Sequence, residues 1–246
     1  MTRIILLGYG AMGKALEQAA AANDCSVVGT YDVDGPFSAD NAPDFDVAID
    51  FSIPTAVIGN ARAILALGKP LVIGTTGWAE HLEEITQLAF DNNTAVVHGS
   101  NFSIGVQLFF RIIEQAAALV NSEPSYDPSI QEWHHTRKVD SPSGTALSAA
   151  EILLKQFDAK SHIETETQHN AIKPDALHVT SARTGNIVGT HQVQMNGPHD
   201  SIEIKHTANS RDGFVKGALK AASWINGKTG VYDFRDVVMD VLKGDT

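Results

Sequence analysis

The segment Ile4-Ile5-Leu6-Leu7-Gly8-Tyr9-Gly10-Ala11-Met12-Gly13 decides the fold of this chain. Its four apolar residues predict a buried β-strand, and the alanine-rich stretch 11–22 predicts a helix. The pattern Gly-x-Gly-x-x-Gly joins them. In such a pattern the first glycine permits a tight turn, the second lets a pyrophosphate approach the backbone, and the third allows close helix–strand packing. The segment therefore predicts a dinucleotide-binding unit, and the alternative is an ordinary glycine turn.

A carboxylate in the expected place supports dinucleotide binding. Asp32 closes the second predicted strand, 26–31, where its side chain is expected to accept hydrogen bonds from the adenosine ribose. A carboxylate repels a 2′-phosphate, and the residues at 33–35 supply no cation. We therefore predict that NADH is preferred over NADPH, unless Lys14 or Arg3 reaches the pocket.

Strands and helices alternate through the first hundred residues. Further strands are predicted at 47–51, 71–74 and 95–97, with helices at 54–67 and 79–91 between them. This alternation is typical of parallel βαβ units. It predicts an α/β fold with a Rossmann-type doubly wound parallel sheet.

The pattern changes after residue 102, where strands gather with few helices between them. The remaining predicted elements are helices at 105–121, 145–157, 214–224 and 233–241 and strands at 130–135, 163–168, 178–182, 189–195 and 201–206. Gathered strands of this kind predict an α+β domain with a mixed or antiparallel sheet.

Two polar loops follow the fourth and fifth predicted strands. Open α/β sheets bind ligands at the carboxyl ends of their strands, so we expect both loops to contact the nicotinamide ribose or carboxamide, with Phe102 flanking the ring. Either loop taken alone is also compatible with an ordinary turn. The predicted cofactor-binding residues are Gly8, Tyr9, Gly10, Ala11, Met12, Gly13, Asp32, Gly74, Thr75, Thr76, Gly99, Ser100, Asn101 and Phe102.

The composition argues against several classes of protein. The 246 residues include 18 basic and 29 acidic ones, and the resulting formal charge of −11 disfavours binding to nucleic acid or to an anionic membrane. No run of about 20 apolar residues predicts a transmembrane helix. The single cysteine, Cys25, allows no intrachain disulfide and favours a cytoplasmic location. Without an HExxH or paired CxxC pattern, we predict no metal site.

A basic segment stands out from this acidic background: Glu132-Trp133-His134-His135-Thr136-Arg137-Lys138-Val139-Asp140-Ser141-Pro142-Ser143-Gly144-Thr145. Histidine exchanges protons near neutral pH, and lysine and arginine attract carboxylates. Pro-Ser-Gly-Thr ahead of an alanine- and leucine-rich run predicts a helix start whose backbone N–H groups bind an anion. The segment predicts a site that holds an acidic small molecule and protonates it. The alternative is a polar loop with solvated histidines.

The motifs resemble those of the 4-hydroxy-tetrahydrodipicolinate reductases, also called dihydrodipicolinate reductases, of the diaminopimelate route to lysine. The resemblance covers nearly the whole chain in the same order, and the two-histidine segment is its most specific part. It rests on residues 8–13, 50–52, 74–77, 101–106, 132–147, 183–191 and 210–214.

The resemblance implies a reaction and a role for each matching residue. The reaction is reduction of a cyclic imine dicarboxylate, 4-hydroxy-tetrahydrodipicolinate, by NADH or NADPH. The family's proton donor falls on His134 and its catalytic lysine on Lys138. The substrate carboxylates are expected to meet His135 and the Gly144-Thr145 turn. Trp133, Arg137, Arg183 and Arg211 receive no secure role.

The domain organisation is implied in the same way. Residues 1–102 and 211–246 are expected to form the dinucleotide-binding domain, and residues 103–210 the substrate-binding and oligomerisation domain, with hinges at the two junctions. Family members typically form homotetramers through the sheet of the second domain, so a homotetramer is expected here.

Two other functions fit the glycine pattern. An amino-acid dehydrogenase similar to aspartate dehydrogenase would use the same nucleotide motif, but it would leave the 132–145 segment without a purpose. A redox sensor that holds NAD without turnover would need no proton donor, and no basic helix-turn-helix supports it.

Overall fold

The computed structural model describes residues 1–243 of the chain. These residues divide between two compact units, Met1–Ile104 with residues 212–243 and Gly105–Arg211. Within residues 1–243, no helix combines the length and the apolar character that a membrane crossing requires.

Strands and helices account for most of the described residues. The strands are β1 (Thr2–Leu7), β2 (Cys25–Tyr31), β3 (Val47–Asp50), β4 (Leu71–Ile73), β5 (Ala95–His98), β6 (Asp127–His134), β7 (His162–Glu164), β8 (Ala176–Arg183), β9 (Gly189–Asn196), β10 (Ser201–Ala208) and β11 (Gly230–Asp233). The α-helices are α1 (Ala11–Ala20), α2 (Pro54–Ala66), α3 (Leu82–Asp91), α4 (Ile104–Val120), α5 (Gly144–Gln156), α6 (Asp212–Ile225) and α7 (Phe234–Lys243). Short 3-10 turns occur at Ala21–Asn23, Ala39–Asn41 and Ala79–His81.

The first unit is built on a six-stranded sheet in the order β11-β5-β4-β3-β1-β2. All of its neighbouring strands are parallel, which confirms the predicted Rossmann-type sheet. The chain moves from β1 to β2 on one side and from β3 to β5 on the other. The carboxyl ends of β1 and β3 therefore flank the switch point where such sheets bind ligands.

Strand β11 is absent from the sequence prediction. Its four residues pair with β5 and run directly into α7. Because the strand is so short, the helical pattern that follows it dominates the sequence signal.

Alternate residues of β1 enter two different cores. Ile4 and Leu6 pack in a cluster with residues of α1, α6 and α7, whereas Ile5 and Leu7 pack in a cluster with residues of α2 and α3. Helices cover both faces of the sheet, so the strand is a continuous apolar run rather than an alternating one.

The second unit contains a five-stranded mixed sheet in the order β10-β9-β6-β8-β7. Strand β9 is antiparallel to β6 and β10, whereas β8 is parallel to β6 and β7. This arrangement confirms the predicted mixed sheet. Helices α4 and α5 share one hydrophobic core with the sheet.

Strand β7 is shorter than predicted and ends at Glu164 instead of continuing to residue 168. The N–H of Glu166 donates to the carboxylate of Glu164 at 2.9 Å, so a local turn replaces the strand ladder.

The central strand β6 alternates between a buried and a half-exposed face. Its buried residues are Pro128, Ile130, Glu132 and His134, and the half-exposed ones are Ser129, Gln131 and Trp133. Two ionisable side chains on a buried face need partners there, because burying an unpaired polar group is costly. Strand β6 thereby concentrates ionisable groups inside the second unit.

Candidate active site

The three glycines of the 8–13 segment have different surroundings. A Cβ at Gly8 would overlap the backbone of Phe51, and a Cβ at Gly13 would overlap the carbonyl oxygen of Gly8. Gly8 also has a φ of 88°, in the left-handed region. At Gly10 an added Cβ would meet nothing within 4 Å. Packing thus requires Gly8 and Gly13, while Gly10 leaves open space beside the first turn of α1.

The Asp32 carboxylate lies against the glycine turn. It accepts hydrogen bonds from the N–H of Tyr9 at 3.2 Å and from the N–H of Val33 at 2.9 Å. Asp32 itself is exposed just beyond the carboxyl end of β2. An anionic acceptor therefore stands beside the open space at Gly10, and together they fit the adenosine half of a dinucleotide.

Within residues 1–243, neither cation considered from the sequence contacts Asp32. Arg3 lies near the amino end of β1, at the opposite edge of the sheet. It pairs with Asp46 at 2.7 Å and with Asp44. The Nζ atom of Lys14 lies 6.0 Å from the centre of the Tyr9 ring.

A buried carboxylate braces the loops that follow β3 and β4. Oδ1 of Asp50 accepts hydrogen bonds from the Ser52 N–H at 2.8 Å, the Ser52 hydroxyl at 2.6 Å and the Thr75 hydroxyl at 2.9 Å. Its Oδ2 accepts a bond from the Asn60 amide at 2.8 Å. The side chain of Thr75, a predicted ligand contact, is therefore engaged inside the protein.

The two predicted nicotinamide loops line one cavity of about 220 Å³. Thr76 and Ser100 are exposed in these loops. The sequence pattern does not point to the other side chains that line the cavity, among them Trp78, His98 and Asp233. Burial lowers the pKa of His98, although Asp233 acts in the opposite direction. The cavity lies at the carboxyl ends of parallel strands, where such sheets bind ligands.

The position of Phe102 differs from the expectation that it flanks a nicotinamide ring. Its side chain is 1% exposed and packs in the core. The ring centroid lies 4.5 Å from that of Phe234 and 6.2 Å from that of Phe51. The neighbouring Asn101 is also buried, and its Oδ1 accepts the N–H of Ser103 at 2.8 Å. In this segment apolar packing and a local turn account for both side chains.

In the second unit, the Glu132 carboxylate is the centre of a buried network. Its Oε2 lies 2.6 Å from Nδ1 of His134 and 3.8 Å from Nε2 of His191. Its Oε1 accepts the N–H of Ser143 at 3.0 Å and the guanidinium of Arg183 at 2.8 Å. Burial opposes ionisation of Glu132, but these hydrogen bonds outweigh burial and hold its pKa well below the ordinary value.

The imidazole of His134 is enclosed, being 7% exposed. Its Nδ1 faces Glu132, and a Cβ at Gly189 would come within 2.9 Å of its Nε2. Glycine at position 189 therefore leaves the room that the ring occupies. The His191 ring meets the His134 ring edge to face at 5.1 Å.

The segment after His134 carries the remaining predicted polar groups. Nζ of Lys138 lies 2.8 Å from Oδ1 of Asp140. Burial opposes ionisation of Asp140, but the hydrogen bonds from Lys138 and from the Gly144 N–H lower its pKa overall. His135 is half-buried, and burial together with nearby cations lowers its pKa.

Helix α5 begins at Gly144, one residue before the predicted start, and Ser143 is its cap. The Ser143 Oγ accepts the N–H of Ala146 at 3.2 Å and lies 3.1 Å from Nε2 of His191. Gly144 is exposed at the first turn and Thr145 is half-exposed. The turn therefore presents backbone to an incoming anion.

The structure places the four residues that had no assigned role. Arg183 binds both Glu132 and the carbonyl oxygen of Asp140, the latter at 2.6 Å. Arg137 donates to Asn186 at 3.1 Å. Trp133 lies on the half-exposed face of β6, with Nζ of Lys205 5.8 Å from its ring. Arg211 is exposed.

Sequence reasoning missed Glu132 and His191 as site residues, although both lie in segments that carried the resemblance. The available signal was the strand period of two, which places Glu132 on the same face as His134. For His191 the partners become apparent only from the pairing of β9 with β6, in which it lies opposite Glu132.

Glu132, His134 and His191 are residue types that bind metal ions, and their donor atoms lie within 4.8 Å of one another. Here Arg183 and Ser143 already bind one carboxylate oxygen, and His134 lies at the other. The expectation that the protein uses no metal stays a prediction.

We expect His191 to make stability depend on pH. Burial lowers its pKa to about 4 from the 6.5 of an unfolded chain, despite the opposing effect of Glu132. The unfolded state then binds the proton more tightly than the folded state. The contribution of neutral His191 to the free energy of unfolding is therefore complete above pH 6.5 and declines as the pH falls toward 4. When the pH is lowered from 7.5 to 4.5, the free energy of unfolding of the wild type should therefore fall by about 2 kcal/mol more than that of His191→Gln.

Urea unfolding at the two pH values measures this difference. His199→Gln, in an exposed loop, is the matched control and should keep the wild-type dependence. A His191→Gln variant with the wild-type dependence would show that His191 is not held neutral.

Two family models match this chain. The one described as dihydrodipicolinate reductase, N-terminus, matches residues 2–102, and the one described as dihydrodipicolinate reductase, C-terminus, matches residues 105–238.

Named relatives agree with these matches. The chain is 37% identical over 240 residues to the 4-hydroxy-tetrahydrodipicolinate reductase of Christiangramia forsetii, covering 98% of this chain and 99% of that protein. It is 41% identical over 199 residues to the reductase of Aquifex aeolicus, covering 80% of this chain and 74% of that protein.

A solved structure shares the fold. Dihydrodipicolinate reductase from Paenisporosarcina, solved with dipicolinate bound, superposes with a TM-score of 0.77 at 23% identity, covering 96% of this chain and 99% of that one. Because the family models span most of the chain and the relatives exceed 30% identity, this protein belongs to the dihydrodipicolinate reductase family and is an NAD(P)H-dependent oxidoreductase.

Proposed function

We propose that this protein reduces 4-hydroxy-tetrahydrodipicolinate to tetrahydrodipicolinate, with His134 as the proton donor. The observation that carries the proposal is the enclosed His134 imidazole, held at Nδ1 by an ionised carboxylate and followed by a cationic segment and an exposed helix start. The net reaction consumes one reduced cofactor and one proton, releases water and yields the oxidised cofactor.

Residues 1–102 and 211–246 form the dinucleotide-binding domain in this proposal, and these bounds lie within two residues of those of the first unit. The open space at Gly10 and the carboxylate of Asp32 fit a dinucleotide. When bound, the reduced nicotinamide supplies the hydride. The exposed residues Thr76 and Ser100 are the side chains of the cavity loops that we assign to its contacts.

His134 completes the reduction by protonating the enamine-like carbon that hydride addition leaves. Its Nδ1 is engaged by Glu132, so Nε2 is the atom that we assign to proton transfer. Lys138 stabilises developing negative charge or assists this protonation.

The carboxylates of the substrate bind at the start of α5 and at His135. Asp140 interacts with Lys138 and the Gly144 N–H in this structure. A substrate carboxylate meets the same two donors, so we propose that it displaces or shares the place of Asp140. A planar dicarboxylate, dipicolinate, is the ligand in the solved relative, which supports this choice of substrate class.

Replacing either proposed catalytic residue should lower turnover without disturbing the cofactor. We expect His134→Gln and Lys138→Met to reduce kcat by about 10²–10⁴-fold, the usual contribution of a positioned acid. The Kd for NADH should change by less than about twofold, because neither residue belongs to the nucleotide domain.

A coupled assay measures this loss by supplying the product of pyruvate and aspartate semialdehyde condensation. His199→Gln and Lys155→Met change the same residue types at exposed positions and should keep wild-type turnover. Near-normal turnover in both His134→Gln and Lys138→Met would show that the catalytic assignment is wrong.

We further propose that NADH is preferred over NADPH. The exposed Asp32 carboxylate repels a 2′-phosphate, and Arg3 is held by Asp46 and Asp44 near the amino end of β1. The Nζ atom of Lys14 lies 6.0 Å from the centre of the Tyr9 ring, and within residues 1–243 Lys14 does not contact Asp32.

Removing the charge of Asp32 should narrow this preference. We expect kcat/KM to be at least about tenfold higher with NADH, since one 2′-phosphate repulsion of about 1.4 kcal/mol is worth that factor. Asp32→Asn should raise kcat/KM with NADPH, whereas Asp34→Asn, two residues further along the exposed loop, should leave the ratio unchanged. Equal efficiencies with both cofactors in the wild type would contradict the preference.

Residues 103–210 form the substrate-binding and oligomerisation domain in this proposal, and the protein is a cytoplasmic homotetramer. Helices α4 and α5 share the core on one side of the sheet, while the other side presents Gln131 and Trp133 half-exposed. A second copy of the chain would cover that side. The buried free thiol of Cys25 supports a reducing location.

Sedimentation equilibrium tests the assembly. The wild type should have four times the chain mass. Gln192→Lys places a cation on the half-exposed face opposite Gln131 and should give smaller species. Lys155→Met, on α5, should leave the mass unchanged. A monomeric wild type would overturn the tetramer.

A further inference from the structure

We infer that Glu132 is a positioning residue for the reduction: its carboxylate sets the orientation and tautomer of His134 and joins that ring to the first turn of α5. The inference rests on the proposed role of His134 as proton donor. It adds to that proposal a residue that makes no assigned contact with substrate or cofactor.

The orientation of His134 follows from the contact at Nδ1. Glu132 is 1% exposed and lies two residues before His134 on the same buried face of β6. Nδ1 of His134 and Oε2 of Glu132 lie 2.6 Å apart as a close ion pair, although within residues 1–243 neither atom has a hydrogen-bond partner of good angle. An ionised carboxylate only accepts hydrogen bonds, so we assign the ring hydrogen to Nδ1. The ring is thereby held with Nε2 as the atom that remains for exchange with substrate.

The second carboxylate oxygen fixes a different part of the site. Oε1 accepts the N–H of Ser143 at 3.0 Å, and Ser143 caps α5 directly before Gly144. Arg183 binds the same oxygen and also the carbonyl of Asp140. One carboxylate therefore determines the positions of the proton donor and of the turn proposed to hold a substrate carboxylate.

Ionisable groups from three strands and from the following loop surround His134. They are Glu132 on its own strand, His191 on β9, Arg183, whose backbone pairs with that of His134 on β8, and the adjacent His135. Oε2 of Glu132 is closer to His134 than to His191, at 2.6 Å against 3.8 Å. Burial keeps the pKa of His191 at about 4, so near neutral pH His191 carries no charge.

A metal site explains the same three side chains less well. Oxygen and nitrogen ligands about 2.0–2.1 Å from a tetrahedral zinc ion are about 3.3 Å apart. The distance from Oε2 to Nδ1 is 2.6 Å, which is shorter than the spacing of two such ligands. Arg183 also neutralises the carboxylate, and its charge repels a further cation.

Glu132→Gln separates positioning from general stability. Glutamine keeps the shape of the side chain and an oxygen for Arg183 and Ser143, but it turns an amide donor toward Nδ1. We expect kcat to fall about 10- to 100-fold, with KM for NADH within about twofold. Glu151→Gln, on the exposed side of α5, should change neither quantity.

Nitrogen-15 NMR of the histidine rings gives a readout that is independent of activity. In the wild type His134 should be protonated at Nδ1, and in Glu132→Gln it should lose that tautomer. If Glu132→Gln does not fold, Glu132→Asp is the second variant, because it keeps the charge but withdraws it from the ring. It should give a smaller loss of the tautomer protonated at Nδ1.

The outcomes separate the two proposals. If His134→Gln abolishes turnover while Glu132→Gln leaves kcat and the ring spectrum unchanged, the inference about Glu132 is wrong and the proton donor stands. Full turnover in His134→Gln overturns the proton-donor assignment and the inference with it. The inference would also be overturned if the purified enzyme contained one equivalent of zinc per chain and if removing that zinc with EDTA changed the His134 signal.

Discussion

The buried Glu132 carboxylate is the interaction on which the site of the second unit depends. A carboxylate taken out of water destabilises a fold unless cations and hydrogen-bond donors surround it. The sheet register supplies them: Glu132 lies opposite His191 of β9, and Arg183 of β8 lies two residues beyond the partner of Glu132 on that strand. A slip of β6 by one residue would turn Glu132 to the other face of the sheet, away from His191 and Arg183. The chemistry of this unit is therefore a consequence of strand register.

The first unit uses a comparable device. Asp50 ends β3 and accepts four hydrogen bonds, through which it joins the loops after β3 and β4. Neither Asp50 nor Glu132 is exposed enough to meet a ligand directly. Each fixes the polypeptide around a place where a ligand is proposed to bind. Because the loops are already ordered, binding does not have to supply the free energy of ordering them. Such carboxylates explain why Thr75 hydrogen-bonds inward although sequence reasoning assigned it to the cofactor.

The sequence predicts local elements well because each depends on a short pattern. The apolar run at 4–7, the glycines at 8–13 and the cap at Ser143 all act within one turn or strand, and the structure contains them. Strand β11 escapes this kind of reasoning because its pairing with β5 is the only sign of it. Glu132 escapes it for the same reason, since Arg183 and His191 are 51 and 59 residues away along the chain. Phe102 lies in a polar loop by sequence, but its ring is buried against Phe234 near the end of the chain.

In the proposed function, the Lys138–Asp140 pair prepares the site for an anionic ligand. Without a ligand, the lysine ammonium and the positive end of the helix dipole would repel each other, and their N–H groups would have no acceptor. Asp140 supplies a local acceptor for both. A monocarboxylate gains little by replacing Asp140, since one internal carboxylate is exchanged for one external one. A dicarboxylate makes the same exchange at one end and gains further contacts at the other, so the internal acid favours substrates with two anionic groups. Selectivity of this kind arises from the difference in binding free energy between a dicarboxylate and a monocarboxylate that replace Asp140, not from the strength of either contact alone.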